Sequence, residues 1–295
     1  MPDLHPAPLL AIIGGSGVYD LEDLKNPKWR HLESPWGEPS DDVLFGELAG
    51  VRVALLPRHG RRHQLNPSKV NYRANIDVLK RAGATDILSL SSVGSFREEL
   101  HPGTYVIVDQ FIDRTFARAK TFFDASIVAH VSMAHPVNPR LGDWCEDACR
   151  AQGIAYRRGG TYLAMEGPQF STLAESELYR QWGCDVIGMT NMPEAKLARE
   201  AEIPYCSVAM VTDYDCWHPD HENVDVEAIL SVMRQNVASA KGLVRALAPR
   251  MAERPAQCPS GDDTALEGTI ITHGELDPEN AKALDAVAGR VLKQR

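Results

Sequence analysis

The sequence predicts an α/β fold, and three observations carry that reading. Short apolar runs recur along the 295 residues, most of them end in a turn rich in glycine or hydroxyl residues, and segments with helix-start signals fall between them. The chain is long enough for one large domain. Its 44% hydrophobic and 24% charged residues are ordinary for a globular protein and exclude wholesale disorder. No apolar run approaches the ~20 residues needed to span a bilayer, and residues 1–6 lack a basic, then apolar leader, so a cytoplasmic protein without membrane contact is expected. A net charge of −9 argues against a general nucleic-acid surface. Six scattered cysteines with no C-x-x-C pair suggest neither a zinc site nor a disulfide frame, and no metal is expected.

Residues 9–13 form the first buried strand and end in Gly14-Gly15-Ser16-Gly17. Glycines let main-chain N–H groups approach an anion and Ser16 adds a hydroxyl, so the turn suits phosphate as well as a plain structural role. A dinucleotide loop is opposed by Asp20, which stands where that fingerprint has its third glycine. Residues 43–48 and 51–56 flank Ala49-Gly50 as a hairpin, and the second strand runs into Pro57-Arg58-His59-Gly60-Arg61-Arg62-His63. Basic runs usually mark a solvated face. At the end of an apolar strand this one points instead to an anion site, with Arg58 as a bidentate partner. Asn66 then caps a helix predicted to run through Arg81.

Residues 85–90 make the next strand and end in Ser91-Ser92-Val93-Gly94-Ser95; residues 105–109 make another. Residues 111–135 read as irregular loops that cover a site or meet a neighbouring subunit. A helix over 139–152 and strands over 154–158 and 161–165 lead to Glu166-Gly167-Pro168-Gln169-Phe170-Ser171, a turn that opens a helix to about Trp182. Phe170 there is either core or a ring stacked on a flat ligand. The strand over 184–189 ends in Thr190-Asn191-Met192-Pro193-Glu194. That over 203–210 delivers Thr212-Asp213-Tyr214-Asp215, a solvated turn or a pair of pocket carboxylates. A helix over 224–247 follows, and beyond Arg250 the Pro, Gly and Asp content reads as a linker with a short helix after it. Residues 1–250 are therefore taken as one domain and 251–295 as a C-terminal extension. Several strands bring phosphate-compatible groups to one face of the sheet.

Gly14-Gly15-Ser16-Gly17, Arg58-His59-Gly60, Asn66-Pro67-Ser68-Lys69-Val70-Asn71-Tyr72, Glu166-Gly167-Pro168-Gln169-Phe170-Ser171 and Thr212-Asp213-Tyr214-Asp215-Cys216-Trp217 stand in this order. With them the chain resembles the trimeric type of the purine nucleoside phosphorylase family, in its branch acting on 5′-methylthioadenosine, over residues 9 to about 249. The resemblance implies a mixed, partly barrel-like sheet flanked by helices, a homotrimer, and phosphorolysis of 5′-methylthioadenosine to adenine and 5-methylthioribose 1-phosphate in methionine and purine salvage. Phosphate is then a co-substrate and no cofactor is implied. By matching positions, Ser16, Arg58, His59, Ser92 and Thr190 hold phosphate; Val93 and Met189 face the nucleoside; Phe170 and Ser171 line the base pocket. Asp213 and Asp215 read the purine, Val226 and Leu230 wall the methylthio group, and His130 is lent by a neighbouring subunit.

The chemistry of those positions is consistent. Adenine leaves C1′ more readily when N7 receives a proton, so Asp213 is the expected catalytic acid, while Asp215 accepts from the 6-amino group. Other readings are a phosphorylase of broader or 6-oxo specificity, such as one acting on methylthioinosine, and a nucleotide-binding protein without catalysis. Ser16 and Ser92 stand where the family commonly has Thr, and Val93 where it has Ala.

Overall fold

A computed structural model describes residues 7–15, 17–219, 226–271 and 277–293. In chain order, β1 (Leu9–Gly14) is followed by β2 (Lys25–Arg30), β3 (Val43–Leu48), β4 (Val51–Pro57), α1 (Tyr72–Arg81), β5 (Asp86–Ser95), β6 (Tyr105–Val108) and β7 (Gln110–Asp113). Then come α2 (Pro139–Gln152), β8 (Tyr156–Arg158), β9 (Thr161–Ala164), α3 (Leu173–Gln181), β10 (Val186–Gly188), α4 (Asn191–Glu200), β11 (Tyr205–Asp213) and α5 (Val226–Leu247). The short helices α6 (Pro278–Ala283) and α7 (Asp285–Leu292) follow.

All eleven strands join one mixed sheet that branches at β5. On one edge β11 runs parallel to β5 from Ile87 to Gly94. On the other edge β1 covers Asp86 to Ser89, and β10 takes over antiparallel only at Gly94 and Ser95. Residues 90–93 therefore have one edge without a strand partner. A ligand cleft belongs at such a split in an open sheet, because main-chain groups there are left to other partners.

Two helical layers cover the sheet. Along β1, Leu9, Ala11 and Ile13 enter a core with Ile76, Val78 and Leu79 of α1 and Leu197 of α4. Leu10 and Ile12 enter the opposite core with Leu141 and Trp144 of α2 and Leu243 and Leu247 of α5. The period of two along a strand buried on both faces is what makes its sequence a continuous apolar run. Beyond residue 250, Leu266, Leu284 and Val287 join the first core, and Arg290 is paired with Glu202 at 2.6 Å.

Three elements differ from their sequence expectation. The helix predicted over 66–81 is a 3-10 turn at Pro67–Lys69 followed by α1, because Asn66 and Asn71 each accept main-chain N–H bonds and start separate caps. β2 (KNPKWR) has no apolar alternation, since as an edge strand it is largely exposed. β7 lies inside the region expected to be irregular, pairing with β9 through Phe111 and Ile112.

Candidate active site

The unpartnered stretch of β5 opens onto a cavity of about 520 Å³. Its walls come from the ends of five strands: Gly15 after β1, Arg58 and His59 after β4, Ser91 to Gly94 of β5, Gly188 to Thr190 after β10, and Thr212, Asp213 and Asp215 at the end of β11. Met165, Pro168 and Phe170 from the turn after β9 and Met233 and Val237 from α5 add apolar surface. A larger cavity of about 770 Å³ near Arg158 and Arg199 has both arginines already paired, Arg199 with Asp262 at 2.6 Å and Arg158 with Asp143 at 3.2 Å.

Arg58 sits where the sequence reading put it, but its fork is taken by the protein. Nε donates to Glu194 Oε2 at 2.8 Å and Nη2 to Glu194 Oε1 at 3.1 Å and to the Ser89 hydroxyl at 2.7 Å, while Nη1 donates to the Leu90 carbonyl at 3.0 Å. The side chain is 1% exposed. In this arrangement the fork leaves one Nη1 hydrogen for a ligand, where the sequence reading expected a bidentate anion partner. Burial works against the cation, and the adjacent Glu194 carboxylate more than restores it.

His59 donates from Nδ1 to the Leu65 carbonyl at 2.8 Å, since a carbonyl can only accept. Burial and the Arg58 charge push its pKa down to about 4. The neutral ring, stacked on His63 at 4.7 Å, thus keeps Nε2 as an acceptor. Thr190 Oγ1 is buried with no hydrogen-bond partner among the described residues, as a ligand-binding hydroxyl should be. Ser92 lines the same wall.

The carboxylates are held by the bulge that ends β11, where the register with β5 shifts between Val211 and Asp213. Asp213 Oδ2 accepts from the Thr212 hydroxyl at 2.7 Å and Oδ1 from the Asp215 N–H at 2.8 Å. Asp215 takes a left-handed backbone, φ 53°, a conformation that Asp tolerates. Trp217 Nε1 and the Tyr214 hydroxyl fasten the following turn to the Ser95 and Glu98 carbonyls at 2.7 and 3.1 Å. Gly94 permits this approach: a Cβ there would lie 3.0 Å from Asp213 Oδ1 and 3.3 Å from Asp215 Cβ. Burial raises both pKa values; Asp213 is drawn partly back by its two donors, and the Asp213 charge helps push Asp215 to about 6.

The remaining expected residues are less uniform. Val93 and Met189 line the cavity, and so does Phe170, although 57% exposed. Ser171 lies behind Met165, with its hydroxyl 3.8 Å from that sulfur, outside the lining. Leu230 is 45% exposed and His130 is exposed, neither in the lining. Ser16 and the Val226 side chain lie outside the described residues.

Sequence reasoning missed Glu194, Asn191 and Arg118 as contributors. Asn191 ties the wall together, its Oδ1 accepting from Ser91 at 3.0 Å and its Nδ2 donating to Tyr205 at 2.6 Å. Glu194 carried a usable signal, an acid at a helix start directly after an apolar strand.

This arrangement of anion-compatible groups and carboxylates at the split of a mixed sheet matches a known class. The sequence pattern of the phosphorylase superfamily fits residues 9–249, and the chain belongs to that family. Within it, the chain is 61% identical to the S-methyl-5′-thioadenosine phosphorylase of Rhodospirillum rubrum, over 99% of this chain and 100% of that one. It is 59% identical to the enzyme of the same name from Cereibacter sphaeroides, over 97% and 99%. Among solved structures, methylthioadenosine phosphorylase from an antarctic soil metagenomic library superposes with a TM-score of 0.90 at 46% identity, covering 95% of this chain and 99% of that one. Methylthioadenosine phosphorylase from Schistosoma mansoni in complex with adenine gives 0.84 at 32%, covering 90% and 99%.

Proposed function

We propose that this protein cleaves 5′-methylthioadenosine with phosphate to give adenine and 5-methylthioribose 1-phosphate. The observation that carries the reading is that one cavity holds both the Asp213–Asp215 pair and the phosphate-compatible set Arg58, His59, Ser92 and Thr190. A phosphate oxygen attacks C1′, the C1′–N9 bond breaks with its electron pair passing to the base, and the purine N7 takes up a proton from Asp213. Burial favours the protonated acid that this step needs. Asp215 reads the 6-amino group, and Met165, Val93 and Met189 supply apolar surface to the nucleoside. The names and bound ligands of the relatives support the substrate assignment.

The reading extends to a homotrimer in the cytoplasm that uses phosphate as co-substrate without a cofactor. Exposed Phe116, Leu173, Leu178 and Trp182 offer apolar surface for subunit contact, and His130, being exposed and outside its own cavity, is free to reach a neighbour's. No described helix is long and apolar enough to cross a membrane.

Steady-state assays with methylthioadenosine, adenosine and inosine, each with and without phosphate, test the proposal. Methylthioadenosine should be preferred and turnover should need phosphate. Preference for inosine would overturn the substrate, and phosphate-independent cleavage the reaction. Sedimentation should show a trimer.

A further inference from the structure

Arg118 does not itself line the cavity, yet its buried guanidinium joins the two turns that shape the nucleoside end. Nη1 donates to the carbonyls of Met189 at 2.6 Å and Met192 at 2.7 Å and to the Tyr72 hydroxyl at 3.1 Å. Nη2 donates to the Glu166 carbonyl at 2.7 Å and reaches that of Met165 at 3.4 Å, and Nε donates to Glu166 Oε1 at 3.2 Å. One planar fork thus spans the turn after β9, which carries Met165, Pro168 and Phe170, and the turn after β10, which carries Met189 and Thr190. Glu166 locks the same knot from the other side. Its carboxylate accepts from the Phe116 and Ala117 N–H groups at 2.6 and 3.1 Å and from the Ser68 hydroxyl. Burial works against that carboxylate, but the Ser68, Phe116 and Ala117 donors and the Arg118 charge hold it at about 2.

We propose that Arg118 is a positioning residue that sets the separation of the Met165–Phe170 and Met189–Thr190 turns, and through them the fit of the nucleoside. The inference rests on the proposed nucleoside site. Lysine cannot replace the fork: its ammonium has three donors on one atom, whereas the acceptors here lie around a plane.

The test uses Arg118→Lys and Arg118→Ala in the full chain. Misplacement of a pocket wall by about 1 Å costs on the order of 10²-fold in kcat/KM. That loss is expected here chiefly through the nucleoside KM, with the phosphate KM changing far less. Added guanidinium ion should restore activity to Arg118→Ala where methylammonium does not, and neither should help the wild type. Nucleoside binding by calorimetry without phosphate should weaken in parallel in Arg118→Lys, which keeps the charge and serves if Arg118→Ala does not fold. Unchanged KM values, with kcat lowered only in proportion to the folded fraction, would overturn the inference. A wild-type protein that binds the nucleoside but does not phosphorolyse it would overturn the proposed function instead, while the binding comparison still reads Arg118.

Discussion

Replacing Asp215 with asparagine separates what this carboxyl costs the fold from what it does for a ligand. Its pKa rises from 3.8 to about 6, a shift of about 2 units, which at ~1.4 kcal/mol per unit is about 3 kcal/mol. A carboxyl with a raised folded-state pKa destabilises the fold wherever it ionises. The penalty is absent below about pH 4, grows as pH rises to about 6, and is fully present at about pH 7 and above. Asparagine carries no charge and accepts the left-handed backbone of this position as readily as Asp. Asp215→Asn should therefore be more stable than the wild type at about pH 8 by up to ~3 kcal/mol, a rise in Tm on the order of 5 °C, with the gain gone at about pH 4. The amide can donate to a 6-oxo group, so selectivity for methylthioadenosine over its 6-oxo analogue should fall by at least ~10²-fold. Thermal unfolding across this pH range together with paired kinetics reads both effects. A stability difference that does not depend on pH would refute the argument.

Three further outcomes follow from the same geometry. Glu194→Gln leaves the buried Arg58 cation without its counter-charge and should destabilise the protein by about 3–5 kcal/mol, raising the phosphate KM more than the nucleoside KM; denaturant melts and kinetics with each substrate varied check this. Gly94→Ala places a methyl 3.0 Å from Asp213 Oδ1 and 3.2 Å from Ile187 Cγ2, so kcat should fall on the order of 10²-fold while the phosphate KM barely moves; a variant with wild-type kcat would show that the Asp213 position tolerates displacement. His59, with its pKa lowered to about 4, should contribute no inflection to the phosphate KM between about pH 5 and 8; an inflection near 6.5 that His59→Gln removes would contradict it.

Strands such as β1, β5 and β11 were legible because burial on both faces writes them as apolar runs, and their C-terminal turns named much of the cavity wall. Edge strand β2 left no such mark, since its residues are exposed. The limits at the site are those of pairing. Arg58 and its strand end can be read from order alone, but its partner Glu194 lies 136 residues away, and only the fold shows that the fork is already used. Arg118 is harder still. Its carbonyl acceptors are main-chain atoms of other turns, which any residue type supplies, so nothing in the sequence distinguishes it from a surface arginine of an irregular segment.

That pairing changes how an anion is held. Glu194 cancels the charge of Arg58 at 2.8 Å, His59 is neutral, and Arg61 is engaged by Asp41 at 2.7 Å and Asp42 at 3.2 Å. The end of the cavity proposed for phosphate thus offers the buried Thr190 hydroxyl, Ser92, Gly15 and the remaining Arg58 hydrogen, in a protein whose net charge is −9. Binding by oriented donors in a buried cleft is little screened, whereas attraction by exposed cations falls steeply once salt shortens the Debye length. The phosphate KM should accordingly change by less than about threefold when sodium chloride is raised from about 0.01 M to about 1 M, over which the screening length shrinks from ~30 Å to ~3 Å. A rise of tenfold or more would mean that exposed cations such as Arg62, and not the buried set, supply the affinity.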